Sequence, residues 1–323
     1  DRHACACRGG TRRNSYPGRR LRLKLVSPSP GFWTLSEGAK VLGQIGATLT
    51  QAEPGAGYIG SFDVDVTHSD AQGLTTLLLK QAEDWLKAQG CKRAIGPMTR
   101  NTWFPYRFRT DDDARSFAWE PSQPRQYPQL WREAGYVFYE GYHSQATREI
   151  AAQDARLHPA QEAAQAAGYR LRDFETANFL ERDMPALYRL SMSGFAGTHL
   201  FEPISEEVFR SLYVPLTSKV DLSLSHFLVD EAGQERGFMF SFLDRDPLSG
   251  DLCLVMKSLA LDPSLRGSGL SNALVGGAVR KGIARGCKIS ISALIREGNR
   301  SAVFAGRQTH EFEHRYALFS KAL

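Results

Sequence analysis

Apolar residues along the chain follow two rhythms, and the same succession occurs twice. Phe62 to Val66 and Leu252 to Leu261 are apolar-rich runs that stop at a turn, as strands do. After each turn the spacing lengthens to three and four residues. Leu74, Leu78, Ala82 and Trp85 mark one helix face, and Leu270, Leu274 and Ala278 mark another. Gly90 and Gly286 follow these helices and suit a left-handed cap. Short strands are expected next, over residues 93–95 and 289–294. The pattern therefore predicts strand, turn, helix and strand, twice over.

Other elements are expected around these units. Residues 184–193 and 205–212 have helical periodicity, and 222–229 and 237–243 read as strands joined by a hairpin at Asp230 to Gln234. In the first half, residues 33–35 and 40–50 form a comparable pair around Glu37-Gly38. Residues 151–167 are polar and alanine-rich, which suggests an inter-domain linker leading into a helix.

The two halves also match residue by residue. Cys91-Lys92 after Gly90 and Cys287-Lys288 after Gly286 lie 196 positions apart (287 − 91). That offset pairs Gly73 with Gly269, Leu74 with Leu270, Leu78 with Leu274, Ala82 with Ala278 and Arg100 with Arg296 without a gap. An internal duplication accounts for this better than chance. It gives three expected segments: a disordered basic tail over 1–20, a first domain over 21–150 and a second over 151–323.

Composition narrows the functional classes. With 323 residues, 42% hydrophobic and 23% charged, the chain has the make-up of a soluble two-domain protein. No apolar run approaches the roughly 18 residues of a membrane helix. The net charge of +5 is misleading, because residues 1–22 hold seven arginines and one aspartate. The body is thus near neutral, which argues against nucleic acid or membrane as a partner. Five cysteines without a regular framework point to a reducing compartment, with the cytoplasm as default. Cys5 and Cys7 lack the second ligand pair a zinc site needs, so no metal is expected.

The candidate chemistry lies in the turn Leu261-Asp262-Pro263-Ser264-Leu265-Arg266-Gly267-Ser268-Gly269-Leu270-Ser271. Pro263 ends the strand ladder. Gly267 and Gly269 allow a tight turn and close approach of backbone amides to a ligand. The following helix offers unpaired N–H groups and the positive end of its dipole, and Arg266 adds a guanidinium for phosphate. An ordinary glycine-rich loop with an incidental arginine has the same composition. The turn has neither the Gly-Lys-Ser/Thr of a P-loop nor the three glycines of a dinucleotide fold.

This stretch resembles the core motif of the GNAT superfamily, the GCN-five-related N-acetyltransferases: an apolar strand, a proline, then Gln/Arg-x-x-Gly-x-Gly/Ala opening a helix. Arg266, Gly269 and Ser271 occupy the three defining positions, with Ser271 a small departure. The whole chain resembles bacterial proteins with two GNAT-like halves. The resemblance implies an α+β fold, with tandem domains each built on a mixed, largely antiparallel sheet flanked by helices. It implies an N-acyltransferase that passes an acetyl group from acetyl-CoA to an amine by direct attack in a ternary complex. Leu259 and Leu261 would pair with the pantetheine arm. Arg266, Gly267, Ser268, Gly269, Leu270 and Ser271 would hold the diphosphate, and Asn299 would contact the cofactor arm. Asn299 also reads as a plain turn residue after Gly298.

Catalytic groups are less evident. The tyrosine that the family often places seven residues after the asparagine is Gly306 here, which leaves Tyr316 as the candidate acid. Lys257 stands where some members carry an acidic base. His310, Glu311, Glu313 and His314 suggest a base or an exposed hairpin strand. Residues 103–127, rich in aromatics, suggest either a substrate-facing wall or a cover for the core. In the first copy Asp70 stands opposite Arg266 and Thr67 opposite Pro263, so that copy is expected to keep the fold without the cofactor. A non-catalytic acyl-CoA-binding protein remains the alternative, and assembly as a homodimer is compatible with the sequence.

Overall fold

The computed structural model describes residues 23–217, 221–298 and 309–323. It divides into two units, each made of discontinuous stretches. The first is Asp1–Phe108, Pro121–Tyr139 and Ala317–Leu323; the second is Arg109–Glu120 and Glu140–Tyr316. This differs from the contiguous division expected near residue 150. The expected tail over 1–20 lies outside the described residues.

The first unit begins with strands β1 (Leu23–Ser29), β2 (Phe32–Glu37), β3 (Lys40–Leu49) and β4 (Ala56–Val64), each antiparallel to the next. Helix α1 (Ala71–Ala88) follows and leads to β5 (Arg93–Gly96), which lies parallel to β4. A two-residue strand β6 (Phe108–Arg109), helix α2 (Tyr127–Glu133) and strand β7 (Val137–Thr147) come next. The face of α1 predicted from its periodicity is the buried one: Leu74, Leu78 and Ala82 pack with Leu35, Ile45 and Ile59. Phe62, Phe108, Tyr127 and Trp131 meet edge to face at centroid distances of 4.9–5.7 Å. Phe108 and Tyr127, from the aromatic-rich stretch, thus belong to this core.

In the second unit, helix α3 (Ile150–Ala166) is continuous where a linker was expected, and β8 (Arg170–Asp173) follows it. Helices α4 (Met184–Gly194) and α5 (Glu206–Thr217) match the predicted pair. Strands β9 (His226–Val229), β10 (Glu235–Arg245) and β11 (Leu252–Leu261) run antiparallel in turn. Helix α6 (Leu270–Ala284) then returns the chain to β12 (Ile289–Arg296), parallel to β11, and the chain closes with β13 (Phe312–Ala322). Leu270, Leu274 and Ala278 of α6 pack on Leu254, Met256 and Met239.

The duplication is visible in the ladders. Each unit has antiparallel strands up to one parallel pair, β4 with β5 and β11 with β12, and a helix connecting the two members of that pair. Shifting α6 back by 196 places its end on Ala88, where α1 ends. Each unit is completed by a strand from the other half of the sequence. Phe319 to Ala322 pair with β5, and Tyr142 to Thr147 pair with β12. That exchange explains why a single cut in the sequence does not separate the units.

Candidate functional site

Strands β11 and β12 pair only from Cys253↔Ile289 to Met256↔Ser292. Immediately past that last pair, both strands bulge. On β11 the register against β10 jumps from Ser241↔Met256 to Phe240↔Ser258, leaving Lys257 unopposed. On β12 the register against β7 jumps from Ser292↔Gln145 to Ile295↔His143. Each strand then leaves the other and follows its outer neighbour. The result is a split in the sheet, lined by the final residues of β11.

The backbone of that lining faces the split. Asp262 N–H donates to Arg236 O at 2.7 Å, so by the alternation of an antiparallel ladder Leu259 and Leu261 turn their N–H and C=O away from β10. Their side chains pack, half-buried, on the core beneath α6. The two residues expected to meet the pantetheine arm therefore offer backbone groups on an open strand edge.

The turn after β11 is braced at its start. The side chain of Asp262 accepts from Ser264 Oγ at 2.6 Å and from Ser264 N at 2.9 Å. These bonds, the hydroxyl's first, hold its carboxyl below the usual range. Arg236 reaches Ser264 Oγ at 3.1 Å and lies 3.6 Å from Asp262. Beyond the brace, Gly267 and Gly269 adopt φ of 85° and 84°. Among the described residues, a Cβ at either glycine would meet nothing within 4 Å. These glycines answer a backbone conformation and leave the space before α6 clear.

The amides in this turn are unevenly satisfied. Ser268 N donates to Leu265 O at 3.2 Å, and Leu270 N to Ser268 Oγ at 3.3 Å. Among the described residues, the amides of Gly267, Gly269 and Ser271 have no protein acceptor. Three donors at the positive end of a 15-residue helix are groups that could hold an anion. Arg266 Nη2 donates to Gly194 O at 3.1 Å and Ala196 O at 3.3 Å, which ties the turn to the end of α4. Arg266 thus helps to position the turn as well as carrying charge.

The corresponding place in the first unit is closed. Asp70 caps α1, its carboxylate accepting from Gly73 N at 3.1 Å, and so occupies the helix end an anion would take. The split is also filled by the chain itself. Met98 N donates to Ile59 O at 2.7 Å, and Ser61 N to Thr99 Oγ1 at 3.3 Å. Gly60 lies so close to this segment that a methyl group there would overlap the Met98 carbonyl and Thr99 Cα. Strand β4 begins at Ala56 rather than at the expected Phe62, because such glycines dilute the apolar signal of its first residues and hide them from the sequence pattern.

Tyr316, the candidate acid, is buried at 1% exposure. Its hydroxyl lies 2.5 Å from Glu120 Oε1 and 2.9 Å from Ser144 Oγ. His314 is fully buried too, with Nδ1 2.6 Å from Glu120 Oε1, so the expected exposed hairpin strand is instead a core strand at this residue. Glu120 and Ser144 were missed from sequence, because nothing local marks residues so distant in the chain as partners. Asn299 and Gly306 lie outside the described residues.

At the described cysteines, Cys91, Cys253 and Cys287, burial disfavours the thiolate. Burial pushes the Cys253 thiol up to about 12 and raises Cys91 and Cys287 as well. Among the described residues, no group of three His, Cys, Asp or Glu could hold a metal ion. No helix in them is long and apolar enough to cross a membrane.

Residues 6–103 match the acetyltransferase (GNAT) family. The match therefore falls on the copy that carries Asp70, not on the one that carries Arg266. No curated protein matches the chain. A tandem GNAT protein from the clavulanic acid biosynthesis pathway superposes with a TM-score of 0.50 at 14% identity, covering 90% of this chain and 82% of that one. A GCN5-related N-acetyltransferase from Anabaena variabilis gives 0.51 at 11% identity, covering 89% of this chain and 62% of that one. Eis1 from Mycobacterium abscessus gives 0.50 at 9% identity, covering 90% and 64%. At these identities the superpositions establish the fold. The family match thus covers part of the first half, and the superpositions show that the chain shares the fold of these GNAT proteins.

Proposed function

We propose that the second unit binds acetyl-CoA and transfers its acetyl group to an amine. The observation that carries this reading is the trio of amides at Gly267, Gly269 and Ser271, which have no acceptor among the described residues and lie in and just after a left-handed turn at the start of α6. An anionic diphosphate would satisfy these donors without displacing any protein contact. The split edge at Leu259 and Leu261 then offers main-chain groups for an amide-bearing arm, in the manner of an added strand.

The residues fit the cosubstrate, which supplies an activated acyl group. What the chain must supply is position and proton handling. The amine has to reach the thioester neutral, the new C–N bond forms as the C–S bond breaks, and the proton lost by nitrogen must be balanced by one gained at sulfur. Tyr316 is proposed as a member of that proton path. Lys257, unopposed at the bulge with its ammonium 5.8 Å from the Trp119 ring centroid, adds positive charge beside the split. Asn299 is retained as a proposed contact for the arm. The first unit is proposed to have lost the cofactor, since Asp70 caps its helix and Met98 and Thr99 fill its split.

The test is release of free thiol from acetyl-CoA by the full chain across a broad amine panel. Amine-dependent release is the expected result. Tight CoA binding with no turnover for any amine would instead favour a binding module, the reading to which Gly306 in place of a tyrosine points. No binding at all would overturn both.

A further inference from the structure

The bulge in β12 carries an inference that rests on the acetyl-CoA reading and extends it. Ala293 and Leu294 together oppose the single residue Ser144 of β7. Leu294 has φ of 59°, a left-handed conformation that a branched side chain rarely adopts. Its amide donates to the side chain of Ser144, Oγ at 2.8 Å, so a hydroxyl takes the place of a ladder carbonyl.

Ser144 is in turn one link in a buried chain. The Tyr316 hydroxyl lies 2.9 Å from Ser144 Oγ and 2.5 Å from Glu120 Oε1. Glu120, whose side chain is 2% exposed, is fixed by His314 Nδ1 at 2.6 Å, Arg109 Nη1 at 3.2 Å and Phe117 N at 3.3 Å. Arg109 is itself held by Asp111 Oδ1 at 2.8 Å and by the carbonyls of Asp113 and Arg115. With Glu120 as the acceptor, the protons run in one direction: Leu294 N–H to Ser144, Ser144 O–H to Tyr316, Tyr316 O–H to Glu120.

We infer that Glu120, Tyr316 and Ser144 are positioning residues for the cofactor groove, a strut that holds the β12 bulge and so keeps the sheet split after Met256↔Ser292. None of them needs to touch the ligand. The two bulges face each other directly past the last pair of β11 and β12. The one on β12 takes support from outside the strand, because a leucine pays a steric penalty for its conformation and its amide is held by the Ser144 hydroxyl. This also gives a role to Arg109–Glu120, the stretch that leaves the first half of the sequence to join the second unit. Groove geometry then depends on residues from three distant parts of the chain.

The test uses the full chain and compares CoA affinity with thermal midpoint. Ser144→Ala removes the acceptor for the Leu294 amide and is expected to weaken CoA binding at least fivefold. Ser144→Thr keeps the hydroxyl and should bind within twofold of the parent. Leu294→Gly, placed in the Ser144→Ala background, accepts positive φ without support and should restore affinity, which a generic packing defect would not allow. Tyr316→Phe should weaken binding in the same direction and serves as the readout if Ser144→Ala does not fold. Parent-like CoA affinity in both Ser144→Ala and Tyr316→Phe, whatever their midpoints, would overturn the strut. Failure of the parent protein to bind CoA would overturn the acetyl-CoA reading itself, and the strut with it.

Discussion

At the scale of single residues, the turn before α6 works through what its glycines leave out. Gly267 and Gly269 sit at φ near 85° with open space around them, so a side chain would introduce backbone strain and obstruct a ligand without striking protein. Gly269→Val should therefore cost on the order of 1–2 kcal/mol in stability and weaken CoA binding more than tenfold, measured by urea unfolding and calorimetric titration. Arg266→Glu should also weaken binding at least tenfold, about 1.4 kcal/mol, by placing a carboxylate near the diphosphate and freeing the end of α4. These residues were legible in the sequence because their signal is local: proline, arginine and two glycines within seven positions. Glu120, Ser144 and Tyr316 were not legible as a set. Their contacts span 172 and 196 positions, and no spacing rule links residues so far apart.

At the scale of elements, helix and strand positions followed the apolar rhythm where one face was buried, as in α1. The rhythm failed where other forces set the structure. The α3 stretch is too polar to show a face, and β7 was not anticipated because its burial alternates only over part of its length. The join between β9 and α6 also has a titratable consequence. His226 is fully buried, and Nε2 lies 2.9 Å from Leu274 O on α6. Burial, reinforced by Lys281, pushes the imidazole down from 6.5 to about 4. The folded protein thus refuses a proton that the unfolded chain accepts. The associated stability is complete above pH 6.5 and is lost as pH falls towards 4. Unfolding free energy should drop by about 2 kcal/mol between pH 7.5 and 5, and His226→Asn should remove that part of the slope in denaturant titrations at the two pH values.

At the scale of the whole molecule, duplication produced two copies with the same ladder and different fates. An offset of 196 exposes both the repeat and the Asp70 substitution, so the asymmetry between the copies is legible in the order of amino acids alone. The exchange of strands is not, because pairing partners in a sheet leave no mark on local periodicity. Nor is the filling of the first split by Met98 and Thr99, which depends on Gly60 meeting a backbone 38 residues later. The proposed functional difference between the copies rests on these contacts: one helix end is capped by its own carboxylate, while the other has three amides with no acceptor among the described residues. A crystal structure with CoA tests this most directly. The account predicts one CoA per chain, its diphosphate within hydrogen-bonding distance of the amides of Gly267, Gly269 and Ser271, and nothing at Asp70. A diphosphate bound at the start of α1, or a turn before α6 that makes no contact with CoA, would contradict it.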